Sequence, residues 1–228
     1  MSLPFVQAHA THADWRVALA NSLRQIQTRI GSARKADGGA FTLGWCYLSD
    51  HYAPEAEAIF DELCRRMPDV AWVGTAGVGV AASGVEYFDE PALVVMVAPL
   101  ARASFRLFSG RRPLPVASSG FVAHTALVHA DGSTPDLQGL LRELSARTAT
   151  GYLFGGLSSA RNRPLHMAEG VLTGGLSGVA FGPEVSLVSR VTQGCQPIGP
   201  VRKVTAAERN CVISLDDQPA LDCALHDL

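Results

Sequence analysis

A chain of 228 residues and 24.1 kDa is long for one domain and short for two, and it can bury a sizeable core without disulfides or a metal. Its 47% hydrophobic and 18% charged residues exclude the disordered class. Nineteen basic against 21 acidic residues leave a net charge of −2, which supplies no overall field for nucleic acid or an anionic lipid surface. No apolar run is long enough for a membrane span, and the start lacks both the cationic residues and the apolar core of a secretory signal, so a cytoplasmic location is expected. The five cysteines (46, 64, 195, 211 and 223) are odd in number and show no Cys-x-x-Cys pair, which argues against a disulfide framework and a zinc site.

Trp15, Leu19, Leu23, Ile26 and Ile30 recur on one helical face, with Thr11 and Asp14 resembling a capping box and Gly31 offering a stop. A linker at 35–39 leads into a strand over 41–48. A second helix follows, opened by Pro54, buried through Ile59, Phe60, Leu63 and Met67, and closed by Pro68. A short strand at 70–73 runs into a glycine loop at 74–77, and the continuous apolar run at 92–98 reads as the centre of a sheet. Between Arg102 and Arg112, four arginines interleave with Phe105, Leu107 and Phe108, the pattern of a half-buried strand with a solvated face rather than a phosphate site. A strand at 124–130 follows. Thr134-Pro135 then caps a helix whose face is Leu137, Leu140, Leu141 and Leu144.

The pattern then repeats. The helix at 54–67, strand at 70–73 and loop at 74–77 are echoed by a helix at 136–148, a strand at 151–154 and a loop at 155–158, and in each half hairpin-like strands follow. The expected fold is α/β of the α+β kind: two similar halves with mixed, largely antiparallel sheets and outer helices, stacking as a four-layer αββα sandwich.

The two glycine loops are the first candidates for a ligand site, with Gly74 and Thr75 from one half and Gly155, Gly156 and Ser158 from the other. Glycine there serves either a tight turn or backbone approach to a ligand. The order Gly-x-x-Gly-x-Gly at 74–79 is followed by strand-like residues, which disfavours nucleotide binding. The third candidate is the Pro- and Gly-stiffened loop 193–200, where Gln193, Gly194 and Cys195 sit on an irregular backbone. As a nucleophile Cys195 would need a base that the sequence does not place beside it. His51, His124, His129 and His166 lie near strand ends without ligand spacing and read as ordinary core or surface residues.

The segment 191–200, Val-Thr-Gln-Gly-Cys-Gln-Pro-Ile-Gly-Pro, is followed by Val204-Thr205 and by Asn210-Cys211-Val212-Ile213-Ser214-Leu215-Asp216 up to Gln218-Pro219-Ala220-Leu221. Together these resemble the signature of the FIST domain, the sensory module of bacterial signalling proteins and some F-box proteins. Trp72 to Gly77 and Phe154 to Gly156 support the resemblance. It implies a FIST-N-like half at 1–122 and a FIST-C-like half at 123–228, the latter cut short at Leu228. It further implies a non-enzymatic, small-ligand-binding sensory domain, with amino acids as the suggested ligand, and it brings neither a catalytic set nor a cofactor. The alternatives are a hydrolase or transferase using a loop Cys or Thr, and a protein-interaction scaffold. A half cut short would leave strands at 185–191 and 212–215 without neighbours, so a homo-oligomer or a partner chain is expected to cover residues 185–228.

Overall fold

The computed structural model describes residues 5–37, 40–115, 120–190, 194 and 196–228. By contacts it divides into two compact units, 1–186 and 187–228. The first unit begins with strand β1 (Val6–Thr11) and helix α1 (Trp15–Asp37), followed by β2 (Leu43–Ser49), a 3-10 turn at Asp50–Glu55 and α2 (Ala56–Arg66). Next come β3 (Ala71–Gly77), the hairpin β4 (Gly79–Ala82) and β5 (Val85–Phe88), and β6 (Ala92–Ala98). The chain continues with β7 (Phe105–Ser109), β8 (Thr125–Ala130), α3 (Leu137–Ala146) and β9 (Leu153–Leu157). The unit ends with β10 (His166–Ala168), β11 (Val171–Leu172) and β12 (Leu176–Phe181).

Two mixed sheets carry the unit. One has the order β1-β6-β2-β3-β10-β11 and the other β7-β12-β8-β9, with β2·β3 and β8·β9 the parallel pairs and every other pair antiparallel. The order β1-β6-β2-β3 repeats strand for strand as β7-β12-β8-β9, and α2 and α3 occupy the same place in each repeat, between its parallel strands. The second repeat's hairpin, β10-β11, pairs onto β3 of the first and extends its sheet. That exchange ties the repeats into one unit.

Strand alternation assigns the layers. Val6, Cys46, Leu48, Trp72, Leu93, Val95 and Met167 pack in one core with Trp15, Leu19, Leu23 and Ile26 of α1 and Ile59, Phe60 and Leu63 of α2. Phe108, Ala126, Val128 and Ala180 of the second sheet pack with Leu144 of α3. The first sheet thus carries α1 and α2 on one face and the second carries α3, and each turns its other face toward its partner sheet, which is the αββα order.

Local punctuation differs from the sequence expectation in several places. Thr11 ends β1, its hydroxyl donating to the Pro91 carbonyl at 2.8 Å, and Asp14 caps α1 instead, accepting from the Arg16 N–H at 2.8 Å. Gly31 does not stop α1, because the roughly 1 kcal/mol that glycine costs in a helix is outweighed by the Ala, Arg and Lys that follow. Asp136, rather than Thr134-Pro135, caps α3 and accepts from the Gly139 N–H at 3.2 Å. Residues 74–77 are strand, not loop, and residues 182–190 form no strand.

The second unit holds β13 (Val204–Glu208), β14 (Cys211–Leu215), β15 (Gln218–Pro219) and α4 (Ala220–Asp227). Arg202 clamps Asp227 with two hydrogen bonds of 3.1 and 2.9 Å. Cys223 is the buried residue of α4, whereas Leu221, Ala224, Leu225 and Leu228 are exposed.

Candidate functional site

Register places a row of polar side chains on each inner sheet face. Antiparallel and in-register parallel partners share a face, so Tyr47 on β2, Thr75 on β3 and His166 on β10 form one row across the first sheet. Across the second sheet Gly156, His129, Ser177 and Ser109 form the other. The rows meet. Tyr47 shares a 3.1 Å hydrogen bond with His129 Nε2, edge-on to the imidazole, and His166 Nδ1 lies 2.7 Å from the Ser177 hydroxyl.

His166 Nε2 lies 3.0 Å from the Gly174 carbonyl, which only accepts, so this nitrogen carries the proton and Nδ1 accepts from Ser177. The Gly174 N–H donates in turn to Asp131, whose carboxylate also accepts from the Ser133 N–H and hydroxyl. Burial raises the Asp131 pKa, but these hydrogen bonds outweigh it and hold the group below its usual value. Burial lowers His129 to about 4, helped by repulsion from His166, and burial lowers His166 as well. Tyr47 is pushed up to about 12 by burial. At neutral pH Tyr47, His129 and His166 are therefore uncharged donors and acceptors, and Asp131 behind them is an ionised carboxylate.

One group in it is unsatisfied. His129 is 3% exposed, and its Nδ1 has no hydrogen-bond partner among the described residues. A buried polar atom left unpaired costs about 1–3 kcal/mol, so it marks a position where another polar group is wanted. Beside it is room. Gly156 stands opposite His129 on the same face, is exposed, and a Cβ built there would meet nothing within 4 Å.

The sequence-derived candidates fall into three places. Thr75, Gly156 and Ser158 come together at this layer: the Thr75 hydroxyl donates to the Leu165 carbonyl and the Ser158 hydroxyl to the Ala76 carbonyl, each at 2.7 Å, the second bond joining β3 to the end of β9. Gly74 and Gly155 sit beside them, but a Cβ on either would fall on a carbonyl oxygen of the parallel neighbour, Cys46 for Gly74 and Val128 for Gly155. Gly194 belongs to the second unit and is exposed, while Gln193 and Cys195 lie outside the described residues. Sequence reasoning missed Tyr47, His129 and His166, since no local motif marks them; the available signal was a polar residue amid apolar ones on three separate strands.

A model of the FIST N domain matches residues 42–218, well over half of the chain. The chain belongs to the FIST family. FIST domains are sensory modules of signal transduction, and this one match runs from β2 of the first repeat through the second repeat and on into the second unit. Among curated proteins no sequence matches the chain. No helix among the described residues is long and apolar enough to cross a membrane.

Proposed function

We propose that this FIST domain is a non-enzymatic small-ligand sensor whose ligand docks at the inner ends of β2, β3, β8 and β9, contacting Tyr47, Thr75, His129, Gly156 and Ser158, with amino acids the first class to test. Two ligand-facing strand ends then come from each half of the chain, 1–122 and 123–228. The observations that carry this reading are the unpaired, buried His129 Nδ1 and the open space at Gly156, its register partner on the same face. An imidazole with a pKa of about 4 is a weak base at neutral pH, which favours binding over proton transfer.

Differential scanning fluorimetry against the amino acids and small polar metabolites tests it. A ligand at 100 times its Kd should add about 2.7 kcal/mol of stability. Gly156→Leu should fold normally and lose that response, because its side chain fills the space beside His129. An unchanged response in Gly156→Leu, or none to any compound, would count against the site.

We also propose self-association through residues 185–228. Val204, Val212, Ile213, Leu221 and Leu225 are exposed there, and β13 is the outer strand of its sheet among the described residues. Light scattering should report a dimer or larger species at micromolar concentration; a monomer near 24.1 kDa throughout would refute it.

A further inference from the structure

A cleft of about 620 Å³ opens in the first unit between α2, the start of β3 and β7, away from the layer at His129. That volume lies in the range of sites that take small molecules. Its floor and walls include Phe60, Trp72 and Phe105, and its rim carries Arg102, Arg106 and Arg112. These are three of the four arginines that the sequence presents as a solvated strand face.

Each guanidinium is anchored at one end by the protein. Arg102 donates to the Asp69 carbonyl at 2.8 Å, Arg106 donates to the Phe105 carbonyl at 2.8 Å, and Arg112 donates to the Glu169 carboxylate at 2.6 Å. Glu169 is the one carboxylate lining the cleft among the described residues, and Arg112 takes it. Arg102 and Arg106 are thus two oriented cations on an apolar cleft with no anion between them. Like charges so placed repel one another and raise the local concentration of anions. Guanidinium forks match a carboxylate in geometry, as the two-bond Arg202–Asp227 pair elsewhere in the chain shows.

A second, independent observation comes from Trp72. Its indole Nε1 is buried and has no partner among the described residues. The six-membered edge of the ring presses on Gly44 of β2, so the opposite edge, which bears Nε1, is turned away from β2, and Trp72 lines the cleft. An acceptor atom on an occupant would satisfy that donor.

The geometry points to this cleft as a binding site for an aromatic carboxylate, its ring among Phe60, Trp72 and Phe105 and its carboxylate on the Arg102 and Arg106 guanidiniums. The site stands apart from the one proposed at His129.

The test is isothermal titration of the full chain with indole-3-acetate and with its uncharged counterpart, indole-3-acetamide. The acid should bind at least tenfold more tightly than the amide and weaken as salt rises. Arg106→Gln should cost at least tenfold in affinity, Arg106→Lys should fall between it and the unaltered chain, and Arg111→Gln, whose side chain does not line the cleft, should bind as before. Equal affinity for acid and amide, no binding of the acid at millimolar concentration, or an unchanged Arg106→Gln would each overturn the proposal. If Arg106→Gln fails to fold, the acid-to-amide ratio on the unaltered chain still decides. Gly156→Leu should leave acid binding intact, which separates this cleft from the His129 site.

Discussion

Acidification from pH 7 to pH 4 should destabilise the first unit by about 3 kcal/mol, before most carboxylates titrate. In the unfolded chain His129 takes up a proton near its ordinary pKa of 6.5, whereas in the fold burial holds it to about 4. Between those values the unfolded state binds more protons than the native state, so stability is fully present above about pH 6.5 and is lost as pH falls toward about 4. A shift from 6.5 to about 4 is worth about 3 kcal/mol. His166, also lowered by burial, adds a loss of the same sign. Asp131, Glu57 and Asp227, held below their ordinary values, begin to lose their contributions only as pH falls to about 4.5, so most of the histidine window lies above theirs. Urea unfolding at pH 7, 5.5 and 4 measures the slope, and His129→Gln should remove more than half of it. A variant profile as steep as that of the unaltered chain would show that the imidazole is not held neutral by the fold.

The same residue shows why half of the architecture is legible in sequence and the site is not. Helical periodicity finds Trp15, Leu19, Leu23, Ile26 and Ile30, and all five are buried on α1. The echo of helix, strand and glycine segment foretells a repeat that the strand orders of the two sheets bear out. What periodicity cannot convey is which strands become neighbours. Tyr47 meets His129 across 82 positions, and only the stacking of two sheets brings them within hydrogen-bond reach. Thr75, Gly156 and Ser158 stand out in the sequence because glycine-rich segments attract notice, whereas a histidine inside an apolar strand looks like any core residue. The unpaired nitrogen that distinguishes His129 exists only once its neighbours are in place.

Glycine at 74 is demanded by crowding, and replacing it should be among the most damaging single-methyl changes in the described residues. Sequence reading offers a turn or a ligand as the reason for glycine here; the structure supplies a third, the approach of a parallel strand. Gly74 lies in the middle of β3, paired with Cys46 of β2 on one side and Met167 of β10 on the other. An added Cβ falls on the Cys46 carbonyl oxygen and lies 2.8 Å from the Cys46 carbonyl carbon, so backbone rather than a flexible side chain would have to move. With strands on both sides and helices packed on one face, nothing can yield cheaply, and Gly74→Ala should cost about 3–4 kcal/mol, the upper end for overpacking. Gly155, at the equivalent place in β9, meets the Val128 carbonyl in the same way and also has φ +133°, a conformation that L-residues avoid. Yet β9 is an edge strand and exposed, so it can swing outward, and Gly155→Ala should cost less, about 2 kcal/mol. Gly156→Ala, one residue on, meets open space and should change stability by less than about 0.5 kcal/mol. Denaturant unfolding of the three variants sets the order 74, then 155, then 156. Were Gly156→Ala to cost as much as Gly74→Ala, the glycines would be answering to local backbone freedom and not to the parallel neighbour, and the shared strand geometry of the two repeats would lose its physical explanation.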